Sequence, residues 1–375
     1  MGPRPPSVRI GRSIVVKPRL LAVAGARPNF MKVAPLCAAA TRAGLSLPWV
    51  HTGQHYDPDL SDVFFSDLGL GPPSEHLRVG AGSAAEQTAR ILERLPPILV
   101  TRRVSTLVVV GDVTSTLAAA LAAASMGVRV VHVEAGLRSF DDAMPEERNR
   151  VLTDRLSARL YVTEPSGVVN LAREGFDRRR VRLVGNPMID ALRVALPAID
   201  RRARASAVEP GAVVTLHRPS NVDDHARLSR WCRALRGVSE RMPVYFPVHP
   251  RTRVRLERFR LLKGLETSGV EVLAPLGYVE FLALVRRARV VLTDSGGLQE
   301  ETSFLGVPCL TLRTTTERPL TLSRGTNRLV GDDPSRLGAA VTRALARPPR
   351  RRSPRRLWDG HASDRIIEDL VRMDV

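Results

Sequence analysis

Short β-branched runs alternate along this chain with longer Ala-, Leu- and Arg-rich segments of helical period. That alternation is the pattern of βα units on parallel sheets. In the first half it predicts strands at Leu20–Ala26, Leu47–Thr52, Thr106–Val110, Arg129–Glu134, Arg159–Thr163 and Val181–Val184. The second half repeats the theme at Ala212–Leu216, Val244–Val248, Val270–Leu273, Val290–Thr293 and Cys309–Leu312. Several runs end in glycine or a polar residue where a helix is about to begin: Gly25, Gly53, Gly111-Asp112, Glu134, His217, His249 and Asp294-Ser295-Gly296-Gly297. In open α/β sheets ligands bind beyond the carboxyl ends of the strands, so these residues are expected to face ligand-accessible crevices.

The expected architecture is therefore α/β, with two Rossmann-like, doubly wound parallel-sheet domains facing a central cleft. We expect a disordered basic leader over 1–18, a first domain over 19–186 and a second over 187–356. The segment Gly185–Leu192 (GNPMIDAL), followed by the charged Asp200–Arg204, connects them. The Pro/Arg stretch Arg347–Arg356 isolates a last helix, Leu357–Met373, and residues 357–375 are expected to pack back on the first domain. No repeat of solenoid period is present.

Composition changes this picture little. The chain has 375 residues, 43% hydrophobic and 25% charged, ordinary for a folded globular protein of two domains. No apolar run approaches the roughly 20 residues that span a bilayer, and MGPRPPSVRIGRSIVVKPR lacks the apolar core and cleavage site of a signal peptide. The expectation is a cytoplasmic protein without membrane insertion. Cys37, Cys232 and Cys309 are scattered, odd in number and without CxxC spacing, which suggests buried thiols rather than a disulfide framework or a zinc site. The net charge of +19 would usually raise nucleic acid as a partner. Lysine, however, occurs only at positions 17, 32 and 263, so 54 of the 57 basic residues are arginine, and aromatic residues make up only 4%. With no stacking platform for bases, a solvated arginine surface is favoured over a specific nucleic-acid groove.

Candidate chemistry concentrates in Val131–Arg150, VHVEAGLRSFDDAMPEERNR. It follows a strand with Glu134, Asp141/Asp142 and Glu146/Glu147, interleaved with Arg138, Arg148 and Arg150. Such a density of opposite charges beside a buried strand suits a pocket that moves protons next to an anionic ligand. A second candidate is Val290–Leu305, where an apolar strand runs through Asp-Ser-Gly-Gly into a helix. Glycines there let backbone N–H groups approach a diphosphate at a helix N-terminus, and Glu300 or Glu301 one turn on could accept from ribose hydroxyls. Arg27 and Lys32 in GARPNFMK follow the first strand in the same way and are candidate cations from the opposite domain. Taken singly, each residue has a plain alternative: Asp112 or Ser295 as a helix N-cap, His217 as a strand-end histidine, Glu146 and Glu147 as dipole-favoured first-turn acids. Gly80-x-Gly82-x-x-Ala85 does not follow a convincing first strand and is not read as a dinucleotide fingerprint. No histidine pair has metal-site spacing.

Together the segments GARPNFMKVAPL (Gly25–Leu36), TGQHYD (Thr52–Asp57), GDVTSTLAAALAA (Gly111–Ala123), HVEAGLRS (His132–Ser139), PEERNR (Pro145–Arg150), GNPMIDAL, TLHRPSNVDD (Thr215–Asp224), PVHPRTR (Pro247–Arg253), TDSGGLQEE (Thr293–Glu301) and TTERP (Thr315–Pro319) resemble the non-hydrolysing UDP-N-acetylglucosamine 2-epimerases, in order, from about Arg19 to Gly331. The resemblance implies a glycosyltransferase-B-like fold with the nucleotide sugar between the domains, a homodimer, and neither metal nor cofactor. It also implies elimination of UDP across C1–C2 to a 2-acetamidoglucal and re-addition with the proton on the other face, which needs acid/base groups on both sides. Carried over by position, Asp112, Glu134 and Glu146 match the catalytic carboxylates and His217 the essential histidine. Arg27, Lys32, Arg138, Ser295, Gly296, Gly297, Glu301 and Arg313 are the implied substrate ligands, with Arg318 a further cation for the leaving group.

This chain departs from the pattern at several positions. Asn29 stands where many bacterial members have Glu, Pro219 where regulated members have a second arginine, and Thr314 and Leu320 where acids are usual. Asp57 and Gly82 replace glutamines of the allosteric pocket, so activation by a second substrate molecule is expected to be weak or absent. The changes also leave room for a different nucleotide sugar. The alternatives are thus an enzyme of the same scaffold acting on another sugar, a hydrolysing 2-epimerase, and a non-catalytic nucleotide-sugar binder.

Overall fold

Strands whose side chains are apolar on both faces must be covered on both faces, and that requirement organises this molecule. In the computed structural model, which describes residues 18–53, 65, 67–346 and 357–373 (of Arg27 only the backbone), two parallel sheets form. The first contains β1 (Leu20–Ala24), β2 (Trp49–His51), β3 (Glu75–His76), β4 (Thr106–Val110), β5 (Arg129–Val133), β6 (Arg159–Val162) and β7 (Val181–Leu183), in the order β3-β2-β1-β4-β5-β6-β7. The second contains β8 (Ala212–Thr215), β9 (Val244–Pro247), β10 (Val270–Leu273), β11 (Val290–Thr293), β12 (Cys309–Thr311) and β13 (Asn327–Leu329), in the order β10-β9-β8-β11-β12-β13. Both orders reverse direction after the first strand of the half, between β1 and β4 and between β8 and β11, and these switch points open crevices at the strand carboxyl ends.

The sequence pattern marks the central strands and misses two at the edges. β3 is two exposed residues, Glu and His, and β13 is Asn-Arg-Leu with two of its three side chains exposed; neither offers an apolar run to read. β1 also stops two residues earlier than expected, because the amides of Gly25 and Ala26 turn to the Asn29 side chain (3.2 and 3.1 Å) instead of continuing the ladder.

Helix starts follow local chemistry. Pro145, Pro165, Pro187, Pro219, Pro250 and Pro319 each open a helix, where a missing N–H costs nothing. Ser83 and Glu86 form a capping box at helix Ala84–Thr101, and Asp224 accepts from Arg227 N at 2.7 Å to begin His225–Ser239.

Helix Pro187–Ala205 joins the halves. It packs on helix Arg27–Arg42 of the first and on helix Tyr278–Arg287 of the second. One apolar core therefore runs from Phe30, Leu36 and Tyr161 through Met188, Ile189 and Leu192 to Leu282, Val291 and Leu298. Helix Ala362–Met373 returns to the first half, where Ile366, Ile367 and Leu370 join the same core. Asp369 pairs with Arg159 (2.8 Å) and accepts from the Tyr161 hydroxyl (3.0 Å), while Asp190 receives the amides of Ala362 and Ser363 at the helix start. The three cysteines are free thiols, pushed up to about 12 by burial. The expected leader, His55, Asp57 and the Pro/Arg stretch at 347–356 lie outside the described residues. Among the described residues no helix is long and apolar enough to cross a membrane.

Candidate active site

The two switch points face each other across a cavity of ≈ 350 Å³, a size suited to a small ligand. The first half contributes Lys32 from the helix after β1, Asp112 from the turn after β4 and Glu146 from the first turn of helix Pro145–Leu156. The second contributes His217 after β8, Ser295, Gly296, Gly297 and Glu301 after β11, and Glu317 and Arg318 from the loop after β12. Asp112, Glu146, His217, Lys32, Ser295, Gly296, Gly297 and Glu301, separated by up to 269 positions of sequence, line one space.

Behind that lining lies a buried lattice of ion pairs. Glu134, 4% exposed, leaves β5 with φ +77°, a left-handed conformation rare outside glycine. Its two oxygens meet Lys32 and, at 2.8 Å, Arg318 from the opposite half. The Arg318 guanidinium also meets Glu317 at 2.5 Å and Glu300 at 3.0 Å. Burial would weaken its charge, but Glu300, Glu134 and Glu317 hold its pKa well above the usual arginine value. Glu317 is held well below the glutamate range: burial opposes ionisation, and Arg318, Arg313 and Arg150 prevail over it. Glu300 goes the other way, raised chiefly by burial. Asp112 pairs with Arg150, and its backbone carbonyl accepts from Asn149 at 2.9 Å. Burial raises its carboxyl, but Arg150, Lys32 and Arg318 together depress it below the ordinary aspartate value, so Asp112 is an ionised base.

His217 is oriented by Asp294, whose carboxylate lies 2.9 Å from its Nδ1 and also accepts from the amides of His217 and Arg218 and from Asn221 Nδ2. A carboxylate on Nδ1 fixes that nitrogen as a donor and sets the orientation of the ring. Ser295 precedes helix Gly296–Leu305 but makes no side-chain cap, so its hydroxyl is not spent on the helix; Asp112 likewise caps nothing, the N-cap of helix Thr114–Ser125 being Val113. A methyl at Gly296 would lie 2.7 Å from Arg318 Nη1, inside the ion-pair lattice, whereas one at Gly297 would meet only the flexible end of Met188, Cε at 2.9 Å. The helix N-terminus thus comes close to Arg318, a geometry that favours an anion. Glu301 accepts from the Tyr278 hydroxyl, whose pKa burial and Glu301 both push well above the tyrosine range. Among the described residues no cluster of three or more His, Cys, Asp or Glu side chains is arranged to hold a metal ion.

Three expected ligands stand differently. Arg138 does not reach the cleft: it is buried against Asp154 (2.7 Å) and Glu174 (2.7 Å) behind β5, because those carboxylates neutralise it where it emerges. Arg313 lies a layer behind the lining, 2.9 Å from Glu317, with a buried Nη1 that has no partner among the described residues. The Arg27 side chain is outside the described residues. Asn29 lines the cavity but spends its amide on the backbone of Gly25, Ala26 and Val110, so it pins a turn. His249 also lines the cavity, its ring 5.7 Å from that of His217. Sequence reasoning gave no role to Asp294 or Glu317; a signal for both was their position beside His217's strand end and within TTERP.

Two facing Rossmann-like domains with an anion-ready helix end and ionised carboxylates define a glycosyltransferase-B-like α/β enzyme. The chain belongs to the UDP-N-acetylglucosamine 2-epimerase family, whose model matches residues 38–371, and that family comprises isomerases. It is 37% identical to the UDP-N-acetylglucosamine 2-epimerase of Methanocaldococcus jannaschii over 94% of this chain and 99% of that one. It is 38% identical to the UDP-2,3-diacetamido-2,3-dideoxy-D-glucuronate 2-epimerase of Pseudomonas aeruginosa over 95% and 100%. The crystal structure of the M. jannaschii enzyme in complex with UDP-GlcNAc and UDP superposes with a TM-score of 0.89, at 38% identity, over 94% of this chain and 99% of that one. A Polygonum tinctorium UDP-glucosyltransferase, 14% identical with a TM-score of 0.59 over 95% and 98%, shares the fold alone.

Proposed function

We propose that this protein interconverts UDP-GlcNAc and UDP-ManNAc at C2 without hydrolysis, with Asp112, Glu134, Glu146 and His217 as catalytic groups. The observation that carries the reading is the convergence of Asp112 and Glu146, from two elements, on a cavity lined by a helix N-terminus, Lys32 and Arg318, with Glu134 directly behind that lining and paired with both cations. One carboxylate takes the C2 proton, the C2–H bonding pair becomes the C1–C2 double bond of 2-acetamidoglucal, and the C1–O pair leaves with UDP. The departing UDP carries the charge, which Lys32, Arg318, the amides at Gly296 and Gly297 and His217 stabilise. UDP then re-adds at C1 while a carboxylic acid on the other face protonates C2. Glu301 holds the ribose, and Ser295 completes the diphosphate site, with Arg313 behind it holding Glu317 in place. Near-full-length identity to named 2-epimerases supports this reading. The working form is a cytoplasmic homodimer, checked by sedimentation.

A second reading has a specific observation behind it: the Pseudomonas relative, which acts on a diacetamido-glucuronate nucleotide, is as similar to this chain as the archaeal enzyme is. Incubation with each nucleotide sugar in D2O, followed by proton NMR, separates them. Deuterium at C2 of UDP-GlcNAc with UDP-ManNAc formed supports the first reading. Turnover confined to the uronate nucleotide establishes the second, and release of UDP with free N-acetylmannosamine moves the assignment to hydrolysis.

A further inference from the structure

The reaction proposed above needs Asp112 and Glu146 at a fixed separation, yet they sit on different elements. Asp112 follows β4 through Gly111, whose φ of +69° sets the turn, and Glu146 opens helix Pro145–Leu156. That helix reaches back to the turn at three points. Asn149 Nδ2 donates to the Asp112 carbonyl, Arg150 pairs with the Asp112 carboxylate, and Asp154 acts through His132 of β5. The His132 ring is wholly buried, with Nδ1 2.7 Å from Asp154 Oδ1 and Nε2 2.9 Å from the Gly111 carbonyl oxygen.

Both atoms that face the ring are acceptors. A neutral imidazole has a single N–H, so one lone pair would be pressed against a carboxylate or carbonyl oxygen in a dry interior, where an unmade hydrogen bond costs most. We propose that His132 is a buried imidazolium whose two N–H groups tie the turn bearing Asp112 to the helix bearing Glu146, a positioning residue for the epimerase reaction; the catalytic part of this rests on the functional reading above.

Charge counting agrees. The groups facing this ring or its partner are Asp154 from helix Pro145–Leu156, Arg138 from the loop after β5 and Glu174 at the end of helix Pro165–Arg173. With His132 charged they form two cations and two anions; with it neutral Arg138 faces two carboxylates alone, one of them, Glu174, partly exposed. Asp154 is the wrong place for the second proton, since its Oδ2 already accepts from Arg138 Nη2 at 2.7 Å and Gly136 N at 3.1 Å. Burial raises the Asp154 carboxyl, but His132 and then Arg138 hold it below the ordinary aspartate range.

The test is 15N NMR of the full-length wild-type protein labelled at histidine, at about pH 7.5, where an exposed histidine is mainly neutral. The expected result is one slowly exchanging ring with two N–H protons, absent from the His132→Gln spectrum. A His132 ring with one protonated nitrogen overturns the proposal. In kinetics, His132→Gln and Asp154→Asn are each expected to lower kcat by about 10- to 100-fold, the scale of a small misplacement of reacting groups, with UDP affinity unchanged. A kcat within about twofold of wild type in a folded His132→Gln protein overturns the positioning role. Absence of wild-type turnover on any nucleotide sugar would defeat the epimerase reading, and the NMR would still decide the proton count.

Discussion

Both oxygens of Glu134 are engaged by cations, one from each half of the protein, and its backbone is held in the left-handed region. Residues in that state persist only where the surroundings over-determine them, which is common at active sites. Glu134→Gln and Asp112→Asn are each expected to reduce turnover by about 10²- to 10⁴-fold, the usual contribution of an acid/base group; retention of more than half the activity would remove either from the mechanism. Glu164 offers a pH test. Burial raises its carboxyl to about 7, above the unfolded value of about 4.3. The folded chain therefore binds the extra proton, and stability falls as pH climbs between these values. Glu164→Gln is expected to melt near wild type at about pH 4 and to be more stable by roughly 3 kcal/mol at about pH 8; equal melting at the higher pH would show that Glu164 is not so perturbed. What the sequence made legible at this scale were residues placed by their own strand ends, such as Asp112, Glu134 and His217. Partnerships were not legible: Arg138 follows the same strand as Glu134 but is captured by Asp154 and Glu174, a choice made only by packing.

At the scale of elements, helix Pro187–Ala205 packs on both halves. Its N-cap Asn186 accepts from Met188 N at 3.0 Å and donates to Glu300 at 2.8 Å, so one side chain both starts the helix and braces the carboxylate that meets Arg318. Asn186→Ala is expected to cost about 1 kcal/mol for the cap alone, and more through the Glu300 oxygen left buried, measured by denaturant unfolding. Leu192→Ala, at a fully buried position between the domains, is expected to cost about 2–5 kcal/mol. The pattern of apolar runs carried the central strands and the two-sheet class because burial on both faces leaves a compositional mark. β3 and β13 carry no such mark, their pairing being supplied by the neighbouring strand rather than by their own side chains.

At the scale of the molecule, the shared core should make unfolding a single transition despite two sheets. On the proposed function UDP contacts both halves, and it should then stabilise the whole by about 2.7 kcal/mol at roughly a hundredfold excess over its Kd. Two resolved transitions in calorimetry, only one moved by UDP, would show instead that the halves unfold separately. The net charge of +19 predicts loose, salt-sensitive retention on polyanions without base preference.

Because the core runs through helix Pro187–Ala205 and the last helix returns to the first sheet, the halves are not exchangeable cassettes. A chimera cut at the linker would set Met188, Ile189 and Leu192 against a foreign counterpart of Phe30 and Leu36, and would strand Ile366 and Leu370 on the wrong parent. Recombination that grafts a new nucleotide specificity onto this scaffold must therefore keep the last helix with the first sheet and match helix Pro187–Ala205 on both sides, to Phe30 and Leu36 and to helix Tyr278–Arg287.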